Sequence, residues 1–400
     1  MTATAPAPRL RPVAVHGVAA ATLNALLDRR GGGFDEFETA AADLLGTRHA
    51  VVVGSARGGM AAVLAHGGCR PGDEVVVPSY TAPCVPAFLR AQGFGVRIAA
   101  VCPRRLVVTG ETLAAAVGPR TRAVIPTHVE GVTAPMEEIV AALPPGVVVV
   151  EDAAHAVGAE VDGSPVGSRA AAALHSFGKG KHLNTMFGGL VVTNDPAVAA
   201  ATRAARDALP VRTRVRLLSA MAIELGVAVA THPRLYPFVL HPLIRAFDLI
   251  GVDLPTRLFE DDGRSVPRST AERPPAAWGA LALAQLADFP AERTRRRRAA
   301  SLLREALRAR GVRHQEANGA GDHPLFLTLL HPRRDELRRA LLAEGQDTQP
   351  TWMRAIVGDD GTSDPVASAA EREGLYLPLH ADAEPEVLVA ALDRAMARLS

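Results

Sequence analysis

The chain has 400 residues, 48% of them hydrophobic, and a formal net charge of +2 at neutral pH. That length can bury a large core and divides more readily into two domains than one, and so small a charge excludes a field built for a polyanion partner. The three cysteines, Cys69, Cys84 and Cys102, have neither an even count nor metal-type spacing, which favours a reduced, cytoplasmic setting over a disulfide framework.

Residues 1–33 are read as an N-terminal segment, and its start, Met1 to Pro8, lacks the basic region and apolar core of a signal peptide. From 34 to 211 short apolar runs alternate with helical patterns. The predicted strands are Ala50 to Val53, Glu74 to Val77, Val96 to Val101, Ala123 to Pro126, Val147 to Glu151, Ala172 to Phe177 and Leu190 to Thr193. This alternation predicts an α/β fold with a mostly parallel central sheet flanked by helices. Residues 212–262 differ in character, with apolar stretches interrupted by Pro233, Pro237 and Pro242. No uncharged run there approaches the roughly 20 residues a spanning helix needs. Residues 263–400 read as a smaller C-terminal α/β domain. It opens with a helical pattern over Ala276 to Leu286 and an Arg-rich helix around Arg295 to Arg298. That arginine run reads as a solvated face beside Glu292 and Glu305, not as a nucleic-acid patch.

Two residues in the first of these regions carry chemistry. Asp152 ends the apolar run Val147 to Glu151, and Lys181 follows the flexible link Ser176-Phe177-Gly178-Lys179-Gly180. A carboxylate at the end of a buried strand, with an amine one crossover later, is the minimum that a pyridoxal phosphate site needs. The carboxylate keeps the pyridine nitrogen protonated, and a desolvated amine holds the aldehyde as a Schiff base. Each residue has an ordinary reading as well: Asp152 as a cap on the next helix through the amides of Ala154 or His155, and Lys181 as a surface lysine. Spacing leaves Lys179 in competition with Lys181. The turn Ser55-Ala56-Arg57-Gly58-Gly59, between a strand and a helix, is either a plain turn or a set of amides that can approach a phosphate. His16 and the other scattered histidines lack ligand spacing, so no metal is expected.

Taken together, these residues resemble the DegT/DnrJ/EryC1/StrS family of pyridoxal-phosphate sugar aminotransferases, of the aspartate aminotransferase fold (fold type I), from about Phe34 to the C-terminus. The resemblance rests on ordered blocks: Pro71 to Thr81, Thr121 to His128, Glu151 to Ala159, and Ser176-Phe177 through Lys181 to Asp195, with Ala280 to Leu286 and Leu377-Pro378-Leu379 later. It implies pyridoxal 5'-phosphate as cofactor and Lys181, not Lys179, as its Schiff-base lysine. It also implies Asp152 on the ring nitrogen, His155 against the ring and its phenolic oxygen, and Ser176 with Ser55, Ala56 and Arg57 at the phosphate. It further implies a homodimer whose sites are completed by the partner chain.

This chain departs from the family pattern in places. Ala56-Arg57 stands where the phosphate turn usually reads Gly-Thr. Ala82 replaces a ring-stacking aromatic, with Tyr80 the nearest substitute. Met186-Phe187 replaces Gly-Glu, and Ala271 takes the place of an Asn that reaches the partner's phosphate. The expected activity is transfer of an amino group from glutamate or a similar donor to a ketone on a sugar nucleotide or cyclitol. Two alternatives stand beside it: a dehydratase of the same family, which carries His where this chain has Lys181, and a non-catalytic cofactor-binding protein at a membrane surface. For the stretch 217–254, packing against the body or a second copy competes with peripheral membrane contact through Leu235, Tyr236, Phe238 and Leu240, with Arg212, Arg214 and Arg216 at the headgroups.

Overall fold

Successive residues of the valine-rich strands go to opposite faces of one sheet, and both faces are covered. Val52, Val76, Leu190 and Val192 join one hydrophobic cluster, while their neighbours Val53, Val75, Val77 and Val191 join another. Burial on both sides is why these strands read as unbroken apolar runs. The computed structural model describes residues 34–230 and 268–400, apart from 347, 380–383 and 400, with isolated positions between 235 and 247. The segment 1–33, His380 and most of the proline-containing stretch, including Tyr236 and Leu240, lie outside the described residues.

The strands are β1 (His49–Val53), β2 (Glu74–Pro78), β3 (Tyr80–Thr81), β4 (Gly95–Ala99), β5 (Thr121–Val124), β6 (Val148–Asp152), β7 (Glu160–Val161) and β8 (Ser164–Pro165). They continue as β9 (Ala172–Ser176), β10 (Gly189–Thr193), β11 (Phe326–Leu330), β12 (Gln349–Pro350), β13 (Arg354–Ala355) and β14 (Gly374–Pro378). Seven of them form the main sheet in the order β1-β10-β9-β6-β5-β2-β4. All seven strands expected from the sequence are these seven. The Val96–Val101 run leaves the sheet early, because the Val101 N–H turns to the Asp364 carboxylate at 3.1 Å.

Only β10 runs against its neighbours, being antiparallel to both β1 and β9. The pairs β9/β6, β6/β5, β5/β2 and β2/β4 are parallel, so the sheet is mostly parallel, as expected. It follows that the carboxyl ends of β1, β2, β5, β6 and β9 lie at one end of the sheet, the place where open α/β sheets bind ligands.

Beyond residue 268, β11, β14 and β12 form a three-stranded antiparallel sheet. The helices Phe289–Ala309, Arg334–Ala343 and Pro385–Ala397 contribute to the cluster on it through Leu303, Leu307, Leu337, Leu341, Leu388 and Leu392. The Arg295–Arg298 run corrects the expectation of a solvated face. Arg296 is only 3% exposed, with Glu292 at 2.8 Å and the Leu325 carbonyl at 3.0 Å, and Arg297 donates to the carbonyls of Gly321 and Asp322. A guanidinium can be buried when carbonyls and a carboxylate replace its water; Arg295, paired with Glu292, stays on the surface.

The stretch after Arg212 begins with a helix, Arg214–Ala230, that ends ahead of Pro233. Leu217 and Met221 pack into the core, whereas Val215, Leu218, Ile223, Leu225 and Val229 are exposed. Among the described residues no helix is long and apolar enough to cross a membrane.

Candidate active site

The carboxyl end of β1 leads into Ser55, whose side chain accepts the Gly58 N–H at 3.1 Å and caps the helix Ala56–His66. The first turn of that helix holds no acidic residue, so the helix supplies no carboxylate of its own to its positive end. Ser55 bridges to Gly188. A Cβ on Gly189 would lie 2.6 Å from the Ala56 nitrogen, so glycine there keeps this amide approachable. Ser176 faces the same glycine across the β9/β10 ladder.

Asp152 ends β6 and is 5% exposed. Its Oδ1 accepts the Ala154 N–H at 3.1 Å, one of the two amides expected of a cap. The residues that follow form turns, not the expected helix. Lys181 lies on the link after β9, where Gly180, at φ +73°, turns against the Trp352 ring. Burial pushes the Lys181 pKa down; Glu130, then Asp152 and then Cys84 oppose the shift, and Arg57 adds to it. Lys181, Asp152 and Arg57, read separately in the sequence, therefore share one electrostatic neighbourhood.

His155, on the turn after β6, is 4% exposed, and its Nδ1 lies 3.1 Å from Glu130 Oε2. Tyr80, in β3, is fully buried with its hydroxyl 2.7 Å from Thr351 Oγ1, and burial drives its pKa up. Beneath the site His128 and Glu151 form a buried pair at 3.0 Å. His128 Nδ1 accepts the Ala134 N–H, so the proton sits on Nε2 and points to the carboxylate.

Sequence reasoning missed Glu130, Thr351 and Tyr376. The signal for Glu130 was the loop Thr127-His128-Val129-Glu130-Gly131 after β5, the strand beside β6. At the departures, Phe187 carries the Arg212 guanidinium 4.0 Å above its ring and gives its carbonyl to Trp278 Nε1. Met186 adopts φ +72°. Ala271 closes a 3-10 turn, Arg268–Ala271, and within that turn the Thr270 carbonyl lies 3.3 Å from where a Cβ on Gly58 would be. Ala82 is partly buried against both main clusters.

The donor set suits pyridoxal phosphate: a helix N-terminus, a buried carboxylate, and an amine whose charge burial disfavours.

A model of the DegT/DnrJ/EryC1/StrS aminotransferase family matches residues 15–219. Among solved structures, DesI in the presence of its TDP-sugar product is 25% identical, with TM-score 0.69 over 98% of this chain and 93% of that one. DesV from S. venezuelae, in complex with a ketimine intermediate, is 23% identical, with TM-score 0.73 over 98% of each chain. The E. coli GDP-4-keto-6-deoxy-D-mannose-3-dehydratase with bound hydrated PLP is 18% identical, with TM-score 0.69 over 97% of this chain and 99% of that one. The last two likenesses, below 25% identity, concern the fold alone.

Proposed function

The chain belongs to the DegT/DnrJ/EryC1/StrS aminotransferase family, a family of pyridoxal-phosphate enzymes, and from that premise we propose that it carries an amino group from glutamate or a similar donor to a ketone on a sugar nucleotide or cyclitol. The observation that carries this reading is the place of Lys181 on the link after β9, beside the sheet end where Asp152 closes β6, with Glu130 and Asp152 the leading charges acting on its amine. Bound pyridoxal phosphate supplies an electrophilic carbon for amines and a ring that withdraws electrons from the substrate's α-carbon.

The protein's part is to bind, orient and move protons. The amides after Ser55, with Arg57 and Ser176, hold the phosphate, each helix-end interaction being worth about 0.3–1 kcal/mol. Asp152 keeps a positive charge on the ring nitrogen, since a carboxylate in a dry site favours the protonated form of its partner. His155 and Tyr80 orient the ring. Lys181 Nζ would hold the cofactor, and as a free amine it would be the base that takes the substrate's α-carbon proton and, as its conjugate acid, gives that proton back.

Lysine at 181 supports transamination over dehydration, because a lysine can both anchor the cofactor and shuttle the proton. We take the working form to be a homodimer, as the family resemblance implies, and the exposed Val215, Leu218, Ile223, Leu225 and Val229 of the helix Arg214–Ala230 support that reading. Incubation of the loaded enzyme with L-glutamate is expected to release 2-oxoglutarate and shift the visible absorption of the cofactor. Lys181→Ala is expected to abolish both changes and Lys179→Ala to retain them. The reverse result would move the assignment to Lys179, and loss of water from a keto-sugar without any donor would favour the dehydratase.

A further inference from the structure

Glu130 is fully buried and holds φ +55°, a left-handed conformation that costs a non-glycine residue roughly 1–2 kcal/mol. Strain of this kind persists where the surroundings over-determine it. Here they do. Gly131 follows at φ +83°, and a Cβ on it would sit 2.0 Å from the His323 carbonyl, so the loop is pinned immediately after Glu130. The Leu325 N–H also donates to the Glu130 carbonyl, at 2.9 Å.

The hydrogen bonds that end on this carboxylate have a fixed direction. The Thr351 hydroxyl at 3.0 Å and the Trp352 N–H at 3.1 Å both donate to Tyr376 Oη. Tyr376 gives its own proton to Glu130 Oε1. Thr351, with its proton directed at Tyr376, accepts from Tyr80 at 2.7 Å. Each hydroxyl has one proton, so the protons of Tyr80, Thr351 and Tyr376 all point along the chain toward Glu130. The remaining oxygen, Oε2, lies 3.1 Å from His155 Nδ1, close enough to pair but short of hydrogen-bond alignment, and neither of those two buried atoms has a hydrogen-bond partner. A buried carboxylate oxygen is strongly disfavoured without a donor, and His155 Nδ1 is the group in place to be one.

We propose that Glu130 is a positioning residue of this site: held through Tyr376 by the β14 sheet, its carboxylate accepts from His155 Nδ1–H, fixes the ring in that tautomer and leaves Nε2 as the acceptor face. The proposal rests on the reading of His155 as the group against the cofactor ring, and it adds what sets that ring's protonation. It also ties β14 and the Thr351 loop to the ends of β5 and β6, so a shift of the C-terminal part would be felt at His155. The same carboxylate is the first of the charges that oppose the lowering of the Lys181 pKa, which places it in the field of the amine as well.

The test is 15N NMR of the full-length holoenzyme with labelled imidazoles, the His155 signal among the 13 histidines being assigned by its loss in His155→Gln. The wild type is expected to show a protonated Nδ1, a measurement that needs no variant to fold. In Glu130→Gln the single amide oxygen is expected to keep the Tyr376 hydroxyl, since losing it would reverse the protons of Tyr376, Thr351 and Tyr80 against the Trp352 N–H that already donates to Tyr376. The amide NH2 then faces His155, and the proton is expected to move to Nε2. In Tyr376→Phe the carboxylate still accepts from His155, and Nδ1 is expected to stay protonated. An unprotonated Nδ1 in the wild type, an unchanged tautomer in Glu130→Gln, or the same change in both variants would overturn the proposal. The reading of His155 itself is tested apart, by the visible spectrum of the cofactor in His155→Gln. An unchanged spectrum removes His155 from the cofactor whatever the NMR shows.

Discussion

His175, His182 and His323 are buried where an imidazolium has no water. Burial pushes His175 down to about 4 and His323 down to about 3, and His182 well below the usual range, where His323 and Arg296 add to the effect. His182 and His323 lie with ring centroids 4.1 Å apart, so protonating either would place a cation against the other. In the unfolded chain each titrates near 6.5. Between there and the folded value the unfolded state binds the extra proton, so stability is complete above pH 6.5 and falls as the pH drops through the window. The slope is about 1.4 kcal/mol per pH unit for each histidine. Urea midpoints are therefore expected to fall steeply from pH 7 to pH 5, and less steeply in His323→Gln. A midpoint flat across that range would show that these rings are not buried neutral. Their positions were visible in the sequence, but their burial was not: His182 follows Lys181 on a polar link, and the ring that covers it comes from 141 residues further on. Glu130 was hidden for the same reason, since a Glu before a Gly in a loop looks like a surface residue until Tyr376 and His155 are known to converge on it.

Elements were more legible than residues. A strand buried on both faces needs a run of apolar residues, and each of the seven runs became a strand of the main sheet. What such a run does not specify is its neighbour. The antiparallel β10, inserted between β1 and β9, is what delivers Gly188 and Gly189 to the turn at Ser55. The helix N-terminus at Ala56 depends on that delivery. In Gly189→Ala the new methyl would meet the Ala56 nitrogen and the His175 carbonyl, at 2.6 and 2.7 Å. Affinity for pyridoxal phosphate is expected to fall at least about tenfold, the scale of one charge-assisted hydrogen bond, while the fold survives in the circular dichroism spectrum. Equal affinity in the variant would move the phosphate away from this turn.

At the scale of the whole molecule the exposed apolar face of the helix Arg214–Ala230 asks for a cover. A membrane surface would need free cations beside it. Of the three arginines considered for that role, Arg212 lies over Phe187 and Arg216 pairs with Glu272, so both are engaged within the chain. That favours a second copy of the protein as the cover, in keeping with the homodimer proposed above. Sedimentation equilibrium is expected to give twice the chain mass, with no co-flotation on phosphatidylserine vesicles at low salt. A monomer that floats with those vesicles would establish the membrane contact instead.

The amino-acid sequence by itself determined the strands, their two-sided burial, the α/β class and the resemblance that pointed to the cofactor, because these rest on periodicity and on local blocks of residues. The tertiary structure alone decided which side chains meet. Glu130, His155, Tyr376, Thr351 and Tyr80 come from loops and strands up to 296 positions apart, joined at the carboxyl ends of parallel strands and by a second sheet. Hydrogen bonding and desolvation act over a few ångströms of space, and no pattern along the chain carries that distance.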